Sequence, residues 1–75
     1  MQHTSRLVTM GEMASSLAHE LNQPLTAIAN YCMGLSTRIR SLRAQGRSPD
    51  PEMLLEALQK TSTQAERAGE VIRRI

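Results

Sequence analysis

This chain predicts an all-α fold: an antiparallel two-helix hairpin that pairs with a second copy into a homodimeric four-helix bundle. Three observations carry that prediction. Apolar residues recur at alternating three- and four-residue steps through two long segments, the pattern of a helical seam. A single short break rich in Gly and Pro separates the two segments. The apolar residues are mostly Leu, Ile, Met and Ala, with one Tyr and no Phe or Trp, and 75 residues offer too little core for a lone hairpin.

The first helix is expected over about 3–44. Its stripe reads Leu7, Met10, Ala14, Leu17, Leu21, then Leu25, Ile28, Cys32, Leu35, Ile39 and Leu42. The alternation fails once, where Leu17, Leu21 and Leu25 follow in successive steps of four. That is a local stutter in heptad phase. Pro24 lies inside it, removing one backbone donor and crowding the carbonyl of Glu20. Because the stripe resumes at once, a bend is expected near Pro24 rather than a stop.

The loop is expected over 45–50. Gly46 suits a helix C-terminal cap, where a left-handed backbone is needed. Asp50, Pro51 and Glu52 together make a strong helix start: a capping side chain, a proline in the first turn and an acid near the positive end of the helix dipole. The second helix is expected over about 51–75, with the stripe Leu54, Leu58, Thr61, Ala65, Ala68, Ile72 and Ile75. Met53, Leu55 and Val71 add apolar surface beside it. So short a loop makes the two helices antiparallel neighbours. The longer first helix, roughly 60 Å at ~1.5 Å per residue, should overhang the second at its N-terminal end.

Composition excludes several classes. The single Cys32 rules out an internal disulfide and a cysteine-based zinc site, and fits a reducing cytoplasm. No apolar run approaches the ~18 residues of a membrane span, so no direct membrane contact is expected in this segment. Net charge is +2, spread along the chain with no basic block or interleaved aromatics, so nucleic acid is not an expected partner. His3 and His19 stand too far apart on one helix to chelate together, and no metal site is expected. The four glycines are scattered and form no phosphate-binding loop, so no cofactor is expected on this chain.

The chemistry concentrates in Leu17-Ala18-His19-Glu20-Leu21-Asn22-Gln23-Pro24-Leu25. At ~100° per residue, His19 lies about 200° around from both Leu17 and Leu21 and faces water. A lone surface imidazole is ordinarily just solvated. Here Glu20 follows it, and a carboxylate accepting from one ring nitrogen leaves the other unprotonated and nucleophilic. Spacing alone does not separate that role from an ordinary solvated glutamate.

The stretch from Met10 to Ile28 resembles the H-box of bacterial sensor histidine kinases, with His, acid, Pro and Leu at the family's offsets. The chain as a whole resembles their dimerisation and histidine-phosphotransfer domain. The form His-Glu-Leu-Asn-Gln-Pro-Leu is similar to the subgroup that includes oxygen-sensing and dicarboxylate-sensing kinases. The resemblance implies that His19 is the phosphoacceptor, that Glu20 orients the ring and takes its proton, and that Pro24 bends the first helix. Many family members carry Thr or Asn four residues after the histidine, positioning the water that hydrolyses a regulator's acyl-phosphate. Here that residue is Gln23, which stands either as such a water-positioning amide or as a solvated helix residue.

The resemblance also implies partners. ATP and Mg would be bound by the kinase's own ATP-binding domain, expected beyond Ile75 and absent from this chain. The chain is then a relay that is not catalytically complete alone. It would sit in the cytoplasm, whether or not the full-length protein is membrane-anchored. A response-regulator receiver domain would dock on the face continuing from His19. Thr26, Ala27, Asn30, Tyr31 and Gly34 match the family's contact offsets there; without the resemblance they read as a solvated face. Gly34 costs about 1 kcal/mol of helix propensity against Ala, a hint of close packing or docking. Two rival readings are a structural dimeric connector with an incidental His19 and a monomeric phosphotransfer domain. The latter needs four helices in one chain.

Overall fold

The computed structural model describes the backbone from Gln2 to Arg74 and the side-chain surroundings from Ala14 to Arg74. It contains two helices, α1 (Gln2–Ala44) and α2 (Pro51–Arg73), packed against each other as an antiparallel hairpin. Leu7, Met10 and Ile75 of the expected stripes lie outside the described side chains. α1 has 43 residues and α2 has 23. Arg74, just past the end of α2, meets Glu20 across the hairpin, so α1 overhangs α2 on the N-terminal side of Glu20. The molecule is 68 Å long.

Each end of the loop is locked by the residues that predicted it. Gly46 takes φ +69°, a left-handed conformation that costs glycine nothing. Its N–H donates to the Arg43 carbonyl at 3.0 Å, and the Arg47 N–H donates to the Leu42 carbonyl at 2.9 Å. These two bonds are a Schellman closure, and they satisfy carbonyls that the helix end leaves open. At the start of α2, the Glu52 N–H donates to Asp50 Oδ1 at 3.1 Å, with Pro51 in the first turn.

The core is thin. Leu42, Ala68 and Val71 are buried, at 8%, 6% and 5% exposure. Pro24 is buried with them, and α1 continues through it. The proline expected as a bend is a packing residue: it lines the cleft between the helices, and its ring adds apolar surface to their contact.

The expected α2 stripe needs correction. Leu54 and Thr61 are half-buried and Ala68 is buried, but Leu58, Ala65 and Ile72 are exposed. The row that faces α1 is Leu54, Ala57, Thr61, Gln64, Ala68 and Val71, again in steps of three and four. Apolar residues on α2 thus divide between two faces. One packs on α1; the other carries Leu55, Leu58 and Ile72 at 59%, 59% and 57% exposure. The α1 stripe divides likewise. Leu17, Leu21, Ile28, Leu35 and Ile39 are half-buried, Leu25 is 46% exposed, and Ala14 and Cys32 are exposed. A hydrophobicity pattern reports that a residue wants cover, not which neighbour supplies it.

Candidate phosphoacceptor site

The site lies on α1 one to two turns before the buried proline. His19 is exposed, as its angular distance from Leu17 and Leu21 predicts. Gln23, one turn on, places its amide nitrogen 3.4 Å from His19 Nε2. An amide NH₂ can only donate. With the ring proton on Nδ1 the amide nitrogen donates to Nε2; with the proton on Nε2 the amide turns its oxygen to accept, so the ring's tautomer sets the direction of the bond. The side chain that sequence reasoning left between two roles is thus the ring's hydrogen-bond partner.

Glu20 is placed differently from the expectation. It turns across the hairpin, where Arg74 donates to its Oε2 at 2.6 Å, a short charge-assisted contact. Both side chains stay substantially in water, at 58% exposure for Arg74 and 41% for Glu20. Glu20 and His19 are adjacent in sequence, yet about 100° of helix rotation separates them. Glu20 falls on the flank facing α2, and His19 does not.

Between the helices at this level runs an open polar cleft. Glu20, Gln23 and Pro24 line it from α1; Gln64, Arg67, Glu70 and Val71 line it from α2, with Arg74 just past the end of that helix. Gln23 belongs both to the cleft and to the His19 ring. The α2 contribution, Arg67 and Arg74 above all, was not recognised from sequence. A signal was present. Counting equal steps back from Ala44 and on from Pro51 arrives, within one residue, at Glu20 and Arg74.

The expected partner-binding residues are partly gathered. Asn30, Tyr31 and Gly34 line one cleft of about 270 Å³, completed by Leu35 and Arg38 of α1 and by Met53 and Ala57 of α2. Ala27 is half-buried and Thr26 is exposed on the same helix, and neither lines that cleft. A β-carbon added at Gly34 would meet nothing within 4 Å. Packing inside the hairpin therefore does not require glycine there.

Among the described residues, no helix is long and apolar enough to cross a membrane. Nor does any group of His, Cys, Asp and Glu among them stand close enough to hold a metal ion.

Comparison with known proteins agrees with this geometry. Residues 9–75 match the family model of the His Kinase A (phospho-acceptor) domain. The chain is 52% identical over 73 residues to the sensor protein FixL of Bradyrhizobium diazoefficiens, covering 97% of this chain and 14% of that protein. It is 53% identical over 74 residues to the C4-dicarboxylate transport sensor protein DctS of Rhodobacter capsulatus, covering 96% and 10%. Against the tetrathionate sensor histidine kinase TtrS of Salmonella typhimurium it is 39% identical over 70 residues, covering 93% and 11%. The chain thus spans a seventh or less of the length of these relatives. No solved structure gives a significant match. An exposed histidine on a helical hairpin, in an H-box and within a family match over nearly the whole length, settles the assignment: the chain belongs to the His Kinase A phospho-acceptor domain family of sensor histidine kinases.

Proposed function

We propose that His19 is the residue that carries the phosphoryl group. The observation that carries this reading is the exposed His19 ring inside a family-matched H-box. ATP arrives as a substrate held by a separate catalytic domain, which supplies the nucleotide and Mg. The Nε2 lone pair forms a bond to the γ-phosphorus. The bond from phosphorus to the bridging oxygen breaks, and its electron pair leaves with ADP. The ring is then cationic, and its Nδ1 proton goes to Glu20, as general base, once that carboxylate has turned to the ring. The phosphoryl group next passes from Nε2 to an aspartate of a response-regulator receiver domain.

The cleft of Asn30, Tyr31 and Gly34, flanked by Thr26 and Ala27, is the receiver's docking face in this reading. Its open floor at Gly34 supports a close approach. The domain is a homodimer: Leu25, Leu58 and Ile72 stay 46–59% exposed in one chain, and a second hairpin covers them in a four-helix bundle. The bundle sits in the cytoplasm, where ATP is. Gln23 orients water for hydrolysis of the receiver's acyl-phosphate when it is not bonded to the ring. Similarity to FixL and DctS, at 52% and 53% identity, supports placing the chain in the His-Glu-Leu-Asn-Gln-Pro-Leu subgroup.

The test is phosphotransfer. The chain is incubated with ATP and an ATP-binding domain of a histidine kinase, and phosphate is located by intact mass and fragment mapping. An acid-labile, base-stable phosphate on His19, absent from His19→Gln, is the expected result. A folded dimer that stays unlabelled with several catalytic domains would make the chain a structural connector.

A further inference from the structure

We infer that Arg74 is a positioning residue that holds Glu20 away from the His19 ring, so that breaking the Glu20–Arg74 pair is what readies His19 for phosphoryl transfer. The inference rests on the reading of His19 as phosphoacceptor and adds to it a regulated step. Two contacts carry it. Glu20 Oε2 is engaged by Arg74 at 2.6 Å on the opposite helix, and His19 Nε2 is engaged by Gln23 at 3.4 Å on its own helix. The base is thus turned from the ring, and in the Nδ1–H tautomer the Nε2 lone pair faces the Gln23 amide. Both features describe a resting site.

The pair is suited to being a latch. It joins residues 54 positions apart, so any sliding or turning of α2 against α1 acts on it directly. Its members are half in water, where an ion pair is weak and readily exchanged. The other charged groups of the cleft are Arg67 and Glu70, both on α2. Glu70 is the competing carboxylate that can take Arg74 when Glu20 leaves it. Arg67 also lines the cleft, but the ion pair of Glu20 is with Arg74. Freed from Arg74, Glu20 needs only a side-chain rotation to accept from Nδ1–H. In the transfer itself nothing else changes: Nε2 gains the bond to phosphorus, the donor's leaving group keeps the electron pair, and the Nδ1 proton passes to Glu20.

The experiment uses the 75-residue chain and two readouts. The first is the ¹⁵N signal of the His19 ring nitrogens in the wild type, Arg74→Gln and Arg74→Lys. Arg74→Gln should move the Nδ1–H resonance downfield as Glu20 bonds it, and Arg74→Lys should leave it near the wild-type position. The second is the rate of His19 labelling by phosphoramidate. Arg74→Gln should be faster by about five-fold, the factor that corresponds to the upper range for an exposed ion pair. Adding Glu20→Gln should remove the gain. Added salt should speed the wild type and not Arg74→Gln, because screening releases the latch. Unchanged ring signals, or labelling of Arg74→Gln no faster than wild type, would overturn the inference. If no variant is labelled at His19 at all, the phosphoacceptor reading fails instead, and the ring signals alone decide whether Arg74 restrains Glu20.

Discussion

Replacing Gly34 with Ala should stabilise the domain and impair its dialogue with a partner. Gly34 sits inside α1, its φ is not in the left-handed region, and an added β-carbon would meet no atom within 4 Å. The substitution therefore gains helix propensity with no steric charge against it, about 0.8–1 kcal/mol per chain. For a domain of this size that corresponds to a rise in melting temperature of roughly 4–8 °C per kcal/mol. Circular dichroism at fixed protein concentration measures it. The same methyl group projects into the cleft of Asn30, Tyr31 and Met53, so transfer from phosphorylated His19 to a receiver domain should slow while labelling of His19 itself does not. A melting temperature that stays level or falls refutes the claim that position 34 is open in the folded protein. Unchanged transfer refutes the docking face.

Leu42→Ala removes one of the few buried side chains and should cost about 2–3 kcal/mol, toward the low end for such changes because the site borders the loop and can relax; chemical denaturation reads it. Leu25→Ala and Leu58→Lys act on side chains that one chain leaves exposed. Both should lower the dimer's association constant in sedimentation while the helix signal at high concentration persists; a dimer unmoved by Leu58→Lys would place the interface elsewhere. His19→Ala should leave the unfolding free energy within about 0.5 kcal/mol of wild type, as for other surface changes, and abolish labelling. A large loss of stability there would mean that the histidine is packed in the dimer.

Most of the fold was legible because its signals are local. Gly46, Asp50 and Pro51 each act on the backbone within a few residues, and the helices stop and start where they say. The exposure of His19 followed from helix geometry alone. What was not legible depends on the register between helices. Ala57 and Gln64 face α1 although neither stands out as apolar, while Leu58 and Ile72 look like core residues and face outward. Ala57, Thr61, Ala68 and Val71 make most of the inner row, where small side chains let the helices approach, and Leu58 and Ile72 fall on the outer face. Glu20 illustrates the same limit at the site. Its neighbour in sequence is His19, but its partner in space is Arg74, and only the fold brings a residue 54 positions away to its carboxylate. Pro24 was read through its backbone effect, and its burial comes with the packing of α2 along the cleft it lines.

The buried side chains gather at two stations. Leu42 secures the loop end, and Pro24, Ala68 and Val71 secure the level of His19. Between them, Ile28, Leu35, Ala57 and Thr61 are only half covered. Mechanically, the hairpin is a torsion bar clamped at both ends. A twist entering along the overhanging part of α1 meets the upper clamp first, at the turn where Pro24 has already removed a backbone hydrogen bond. The lightly packed span below it is where such a twist would meet least resistance. The level of His19 would then turn while the loop end, held by Leu42 and the Gly46 cap, keeps the hairpin together.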